Sequence, residues 1–75
     1  MILNVEQVGL KQCFKYNEKY WRVIHKSDLG FLLARQVVKG YEYWRKTQHK
    51  TFRYGTKVER NLYEQLLWRN KIVVT

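Results

Sequence analysis

Between positions 40 and 60 the chain reads GYEYWRKTQHKTFRYGTKVER. This sets Tyr41, Tyr43, Trp44, Phe52 and Tyr54 among Arg45, Lys46, Lys50, Arg53, Lys57 and Arg60, with only Glu42 and Glu59 as acids. Cations neutralise a phosphate backbone, and flat rings offer faces on which unpaired bases stack. No other part of the chain points as directly to a partner, and the partner it points to is nucleic acid. The same mixture also suits a pair of half-buried strands, with rings turned to a core and charges to water. Along a strand, alternation puts Tyr41, Tyr43 and Arg45 on one face and Glu42, Trp44 and Lys46 on the other. Arg53, between Phe52 and Tyr54, forms a second row, and Arg22 and Arg35 can join from a facing strand. The residues expected to contact nucleic acid are Arg22, Arg35, Tyr41, Tyr43 and Arg45, together with Lys46, Lys50, Arg53, Tyr54 and Lys57.

Catalytic chemistry has less to stand on. His25 and His49 are the only histidines, and neither lies in a motif with a nucleophile or an acid. Both read as ordinary surface residues, His25 near a strand end and His49 in a polar linker. Two His, one Cys and six scattered carboxylates give no metal-ligand spacing. Cys13 alternates with Lys11 and Lys15, which would favour its thiolate if it were exposed; filler on an edge strand is the simpler reading. The four glycines are isolated, so no loop is built to cradle phosphates. Neither an enzyme nor a bound cofactor or metal is expected. Nothing resembles a helix-turn-helix, which argues against sequence-specific reading of a duplex.

Length and charge narrow the class further. Seventy-five residues make one small domain, and 45% hydrophobic residues with three Trp, six Tyr and three Phe supply a dense core. A disordered tail would lack those rings. Fifteen basic against six acidic residues leave a net charge of +9. Positions 1–38 carry six basic and three acidic residues, and positions 39–75 nine and three, so the aromatic-basic stretch lies in the more basic half. Such a charge favours RNA, DNA, ribosomes or an acidic protein surface. No apolar run approaches a membrane span, no clean amphipathic helix is seen, and MILNVEQVGL lacks the plan of a signal peptide. A lone cysteine excludes an internal disulfide, so a cytoplasmic location is expected. The initial Met and the lack of a visible tag suggest a complete small reading frame.

The elements that must carry these residues read as short strands separated by turns. Alternation predicts a strand over 11–16, a turn at 17–18 and a second strand over 19–26 with Trp21 and Val23 on one side. SDLG at 27–30 is a turn, FLLARQVV at 31–38 the central strand, 39–40 a turn and 41–47 a further strand. Gly55 divides 50–58 into the two arms of another turn. Asn61 with Glu64 caps one or two helical turns over 61–68, and KIVVT at 71–75 closes as a strand. The expected fold is all-β, a small five-stranded SH3-like barrel with one short helix before the last strand. Its core is expected from Phe14, Trp21, Val23, Leu32, Ala34, Val38, Val58, Leu62, Leu66 and Ile72.

KTFRYGTKVER at 50–60 resembles the sequence that closes the N-terminal domain of bacterial elongation factor P and its archaeal and eukaryotic relatives. There a similar Lys-Thr-Phe-Arg, a Gly and a Lys-Val-Glu follow in the same order. Upstream, FKYNEKYWRVIHK followed by GFLLAR is similar to the family in order and spacing, so the resemblance spans roughly residues 9–64. It implies a KOW-like or SH3-like scaffold. Family members carry a lysine at the tip of a Pro-Gly-Lys-Gly loop, extended after translation to reach the ribosome's peptidyl-transferase centre. This chain has HKSDLGF at that place, and Lys26 does not match the motif; the OB-type domains of the family are also missing. The resemblance therefore implies the scaffold without the translation-factor chemistry.

The expected function is a non-catalytic basic module that binds RNA or single-stranded DNA, ribosome- or transcription-complex-associated. The alternative is a phage or mobile-element adaptor or inhibitor that binds a host protein such as RNA polymerase or a nuclease. In that case aromatic residues would supply hot spots, and the edge of the 11–16 strand would pair with a partner strand. The sequence leaves the oligomeric state open.

Overall fold

Apolar and polar residues alternate through the first half of the chain, and that alternation builds the middle of the fold. The computed structural model describes residues 2–37 and 48–60. They form one antiparallel sheet: β1 (Ile2–Asn4), β2 (Cys13–Tyr16), β3 (Lys19–Lys26), β4 (Phe31–Val37), β5 (His49–Arg53) and β6 (Lys57–Glu59), in the order β1-β6-β2-β3-β4-β5. A single 3-10 turn, Val5–Gln7, follows β1. The all-β expectation is met. Among the described residues the sheet has six strands, one of which, β1, is formed along β6 by N-terminal residues in which the sequence suggests no element. The helical turn expected over 61–68 and the strands expected over 41–47 and 71–75 lie outside the described residues.

β2 and β3 are joined by two residues, Asn17 and Glu18, both at positive φ (50° and 66°). This is the type I′ geometry whose twist matches that of the flanking strands. Asn tolerates it, whereas Glu is strained there. Glu18→Gly is therefore expected to stabilise the protein by about 1 kcal/mol, read as a rise of about 4–8 °C in melting temperature. A fall would show that the Glu18 side chain contributes more than its backbone strain costs. The loop between β3 and β4 is closed by Ser27 N–H donating to the Phe31 carbonyl at 2.8 Å, with Gly30 at φ +92°.

β3 does not alternate throughout. Its register against β4 shifts between Val23, opposite Ala34, and His25, opposite Leu33, leaving Ile24 unmatched. Strict alternation after Trp21 and Val23 would turn His25 inward. The bulge instead leaves His25 exposed and sets Lys26 opposite the buried Leu32.

The segment 50–58 is not the two arms of a hairpin. β5 pairs with β4, while β6 pairs with β1 and, through Glu59 opposite Lys15, with β2. The turn at 54–56 thus joins two strands that lie four places apart in the sheet order. In a flat sheet that separation would be about 19 Å, from a strand spacing of about 4.8 Å. The chain from Arg53 to Lys57 reaches at most about 14 Å. The sheet must therefore curl until its two ends approach, although hydrogen bonding among the described strands does not close. Gly55 at φ +98°, with Thr56 N–H donating to the Arg53 carbonyl at 3.0 Å, makes the sharp corner. Val5 N–H donates to the Thr56 carbonyl at 2.9 Å and ties the 3-10 turn to the same corner.

The core fills the concave side: Val5, Val8, Phe14, Trp21, Val23, Leu32, Ala34, Phe52 and Val58. Phe14, Trp21, Val23, Leu32, Ala34 and Val58 are as expected, whereas Val38, Leu62, Leu66 and Ile72 lie outside the described residues. Val5 and Val8 come from the 3-10 segment, where no alternation marked them. Phe52 is 2% exposed, packed edge-on against Phe14, Tyr16 and Trp21 with ring centroids 5.1, 5.0 and 5.7 Å away. It is therefore a core ring and not part of a stacking row. Cys13 is buried as well, and β2 lies inside the sheet between β6 and β3. This removes both the reactive thiol and the free β2 edge as candidates.

Candidate functional site

The sheet does not gather the expected contact residues on one face. Tyr41, Tyr43, Arg45 and Lys46 lie outside the described residues. Arg22 and Arg35 are direct cross-strand partners on β3 and β4, and both side chains are half-buried. Arg35 in turn stands opposite His49 and donates its Nε–H to His49 Nε2 at 3.2 Å. His49 thus belongs to β5, not to a linker. These side chains project away from Trp21 and Val23, so the alternation read in β3 holds there.

Lys50 faces the other way. It is paired with the buried Ala34, and its ammonium lies 5.8 Å from the Tyr16 ring centre and 5.6 Å from that of Phe52. Its aliphatic stem covers the rim of the core while its charge stays in water. Arg60 is similarly engaged, half-buried and donating from Nη1 to Gln12 Oε1 at 3.1 Å.

The turn at 54–56 gathers the rest. Arg53 and Lys57 flank it, both exposed. Arg53 stands opposite Phe31, with its guanidinium carbon 5.5 Å from the centre of that ring. Tyr54 is 37% exposed and is the one exposed Phe, Tyr or Trp side chain among the described residues. Its position is set twice: its N–H donates to the Gly30 carbonyl at 2.9 Å, and its hydroxyl to the Ser27 carbonyl at 3.4 Å. Lys26 completes the group. Its ammonium lies 5.5 Å from the Tyr54 ring centre and donates to the Glu6 carbonyl at 3.2 Å. Sequence reasoning missed Lys26, since strict alternation groups it with Arg22 and Ile24. Only the bulge aims it at Tyr54.

Other features of the surface select less. A groove of about 330 Å³ runs past Ile2, Tyr16 and Val58, but Lys15 and Lys57 on its walls are balanced by Glu18 and Glu59. Among the described residues no group of His, Cys, Asp or Glu could hold a metal ion, and no helix is long and apolar enough to cross a membrane. Compared with protein-family models, curated proteins and solved structures, the chain matches none. Its own geometry therefore carries the functional reading, and that geometry centres on the Tyr54 ring with the Lys26 ammonium over it.

Proposed function

We propose that this chain is a non-catalytic nucleic-acid-binding module built on a small SH3-like barrel. One observation carries the reading: Tyr54, its N–H held by the Gly30 carbonyl and its hydroxyl 3.4 Å from the Ser27 carbonyl, is exposed at a turn that Arg53 and Lys57 flank in the sequence, on a chain of net charge +9. Exposed cations attract phosphates over a distance, and an ordered ring adds a contact that costs little entropy on binding. The three-residue corner between the two ends of the sheet supports the barrel reading, because it forces the sheet to curl. In this reading the likeness to the N-terminal domain of elongation factor P is one of scaffold. Where that family carries its loop lysine, this chain presents Leu29, 83% exposed.

Fluorescence anisotropy of labelled RNA and single-stranded DNA across a salt series tests the proposal. Binding should tighten as salt falls, with a slope of about −0.7 per phosphate neutralised. No binding to either oligonucleotide at low salt would overturn it.

A second reading, docking on a large protein assembly, draws on the edge strand β1, where Ile2 is 69% exposed. A partner retained by the tagged protein after nuclease treatment, and lost when Ile2 is replaced by Lys, would favour that reading.

A further inference from the structure

We infer that the 54–56 corner is a subsite for one unpaired nucleobase stacked on Tyr54, with phosphates on Arg53 and Lys57. The ligand class is therefore single-stranded RNA or DNA and not duplex. The inference rests on the nucleic-acid reading above and narrows it.

Three properties of the corner lead there. First, Tyr54, the one exposed Phe, Tyr or Trp side chain among the described residues, is placed by its N–H bond to Gly30, with its hydroxyl 3.4 Å from the Ser27 carbonyl. Restraint before binding is what makes a stacking platform effective, because the ring loses little freedom when a base arrives. Second, Lys26 stands 5.5 Å from the ring centre and is itself anchored on the Glu6 carbonyl. The ammonium lies over one face of the ring and adds positive charge there, so a base would stack on the opposite face. Third, the neighbouring cations are placed differently. The Arg53 guanidinium lies against Phe31, while the exposed Lys57 is on the other side of the turn, at the groove it shares with Glu18 and Glu59. Among the described residues the 27–30 loop adds one carboxylate, the exposed Asp28. It disfavours phosphate on that side.

A base within a duplex has both faces covered by its neighbours, so it cannot use such a platform without being unstacked. A single strand offers its faces at little cost and follows cations in any sequence. RNA and DNA share this chemistry, so both belong in the test.

The probe is an unstructured oligonucleotide of about ten nucleotides carrying one 2-aminopurine, in RNA and DNA forms, with a duplex of equal charge alongside. The native protein is expected to quench the 2-aminopurine on binding and to prefer either single strand to the duplex. Tyr54→Ala should weaken single-strand binding about 5- to 150-fold and leave the salt slope unchanged, since the ring carries no charge. Tyr54→Phe keeps the stacking face but loses the hydroxyl contact to Ser27, so it should bind much closer to the native protein than Tyr54→Leu does. Tyr54→Leu, which keeps bulk without a π face, replaces the Ala variant if that one melts early, and should show the same loss.

Salt-dependent binding that treats duplex and single strand alike, or that is the same in Tyr54→Leu and Tyr54→Phe, would overturn the stacking site and leave the nucleic-acid reading standing. No binding by the native protein to any of the three probes at low salt would overturn both.

Discussion

Phe52→Ala is expected to destabilise the protein by about 3–5 kcal/mol and to lower its melting temperature by more than about 12 °C. Phe52 is the one buried residue of β5, whose other side chains are all exposed. β5 is an edge of the described sheet, hydrogen-bonded to β4 alone, so this ring is what fastens it to the interior. The ring meets Phe14 and Tyr16 from β2 and Trp21 from β3, strands that a flat sheet would hold well away from β5. Removing it opens a cavity where the curled sheet meets itself. A domain of this size has a total stability of roughly 4–11 kcal/mol, at 0.05–0.15 kcal/mol per residue. The loss is thus a large part of the whole. Phe52→Leu, closer in volume, should cost about 1.5 kcal/mol or less. Thermal and denaturant melts of the two variants check this. A Phe52→Ala protein that melts within a few degrees of the native one would show that the ring is not in the core.

Neutralising both cations beside the corner, Arg53→Gln with Lys57→Gln, is expected to weaken single-strand binding about 25-fold at 0.1 M salt. Each phosphate contact contributes about 0.7 to the slope of log K against log salt, so the slope should become shallower by about 1.4. Neither residue is buried, so stability should fall by only about 0.5–1 kcal/mol, from loss of the Arg53 contact with Phe31. Affinity measured at several salt concentrations separates the outcomes. A uniform loss with an unchanged slope would mean that these cations do not meet phosphates. Lys50 is expected to behave similarly. Because its ammonium sits over Tyr16 and Phe52, Lys50→Gln should lower stability as well as affinity.

The fold was legible wherever the side-chain period was clean. Trp21 and Val23 in β3 and Leu32 and Ala34 in β4 alternate with polar or less buried neighbours, and all four are in the core. The turns at 17–18 and 27–30 announced themselves by residue type. β1 and the 3-10 segment did not, because three extended residues and a single turn are too short to show a period. Phe52 and Tyr54 were equally ambiguous: flanked by cations, each could serve a core or a binding face.

The sequence by itself determined that the chain is a small, strongly basic, all-β protein whose middle strands alternate about a core. These are properties of composition and of local period, and each residue carries them regardless of distant partners. Only the tertiary structure decided which ring is buried, which is presented, and which lysine stands beside it. Those outcomes hang on a one-residue bulge in β3 and a three-residue corner too short for a flat sheet. The bulge changes which face every later residue of its strand occupies, and the corner forces together strands that share no hydrogen bond. Phe52 thereby goes inward, and Tyr54, two residues later, is left at the surface between Arg53 and Lys57 with Lys26 against its ring.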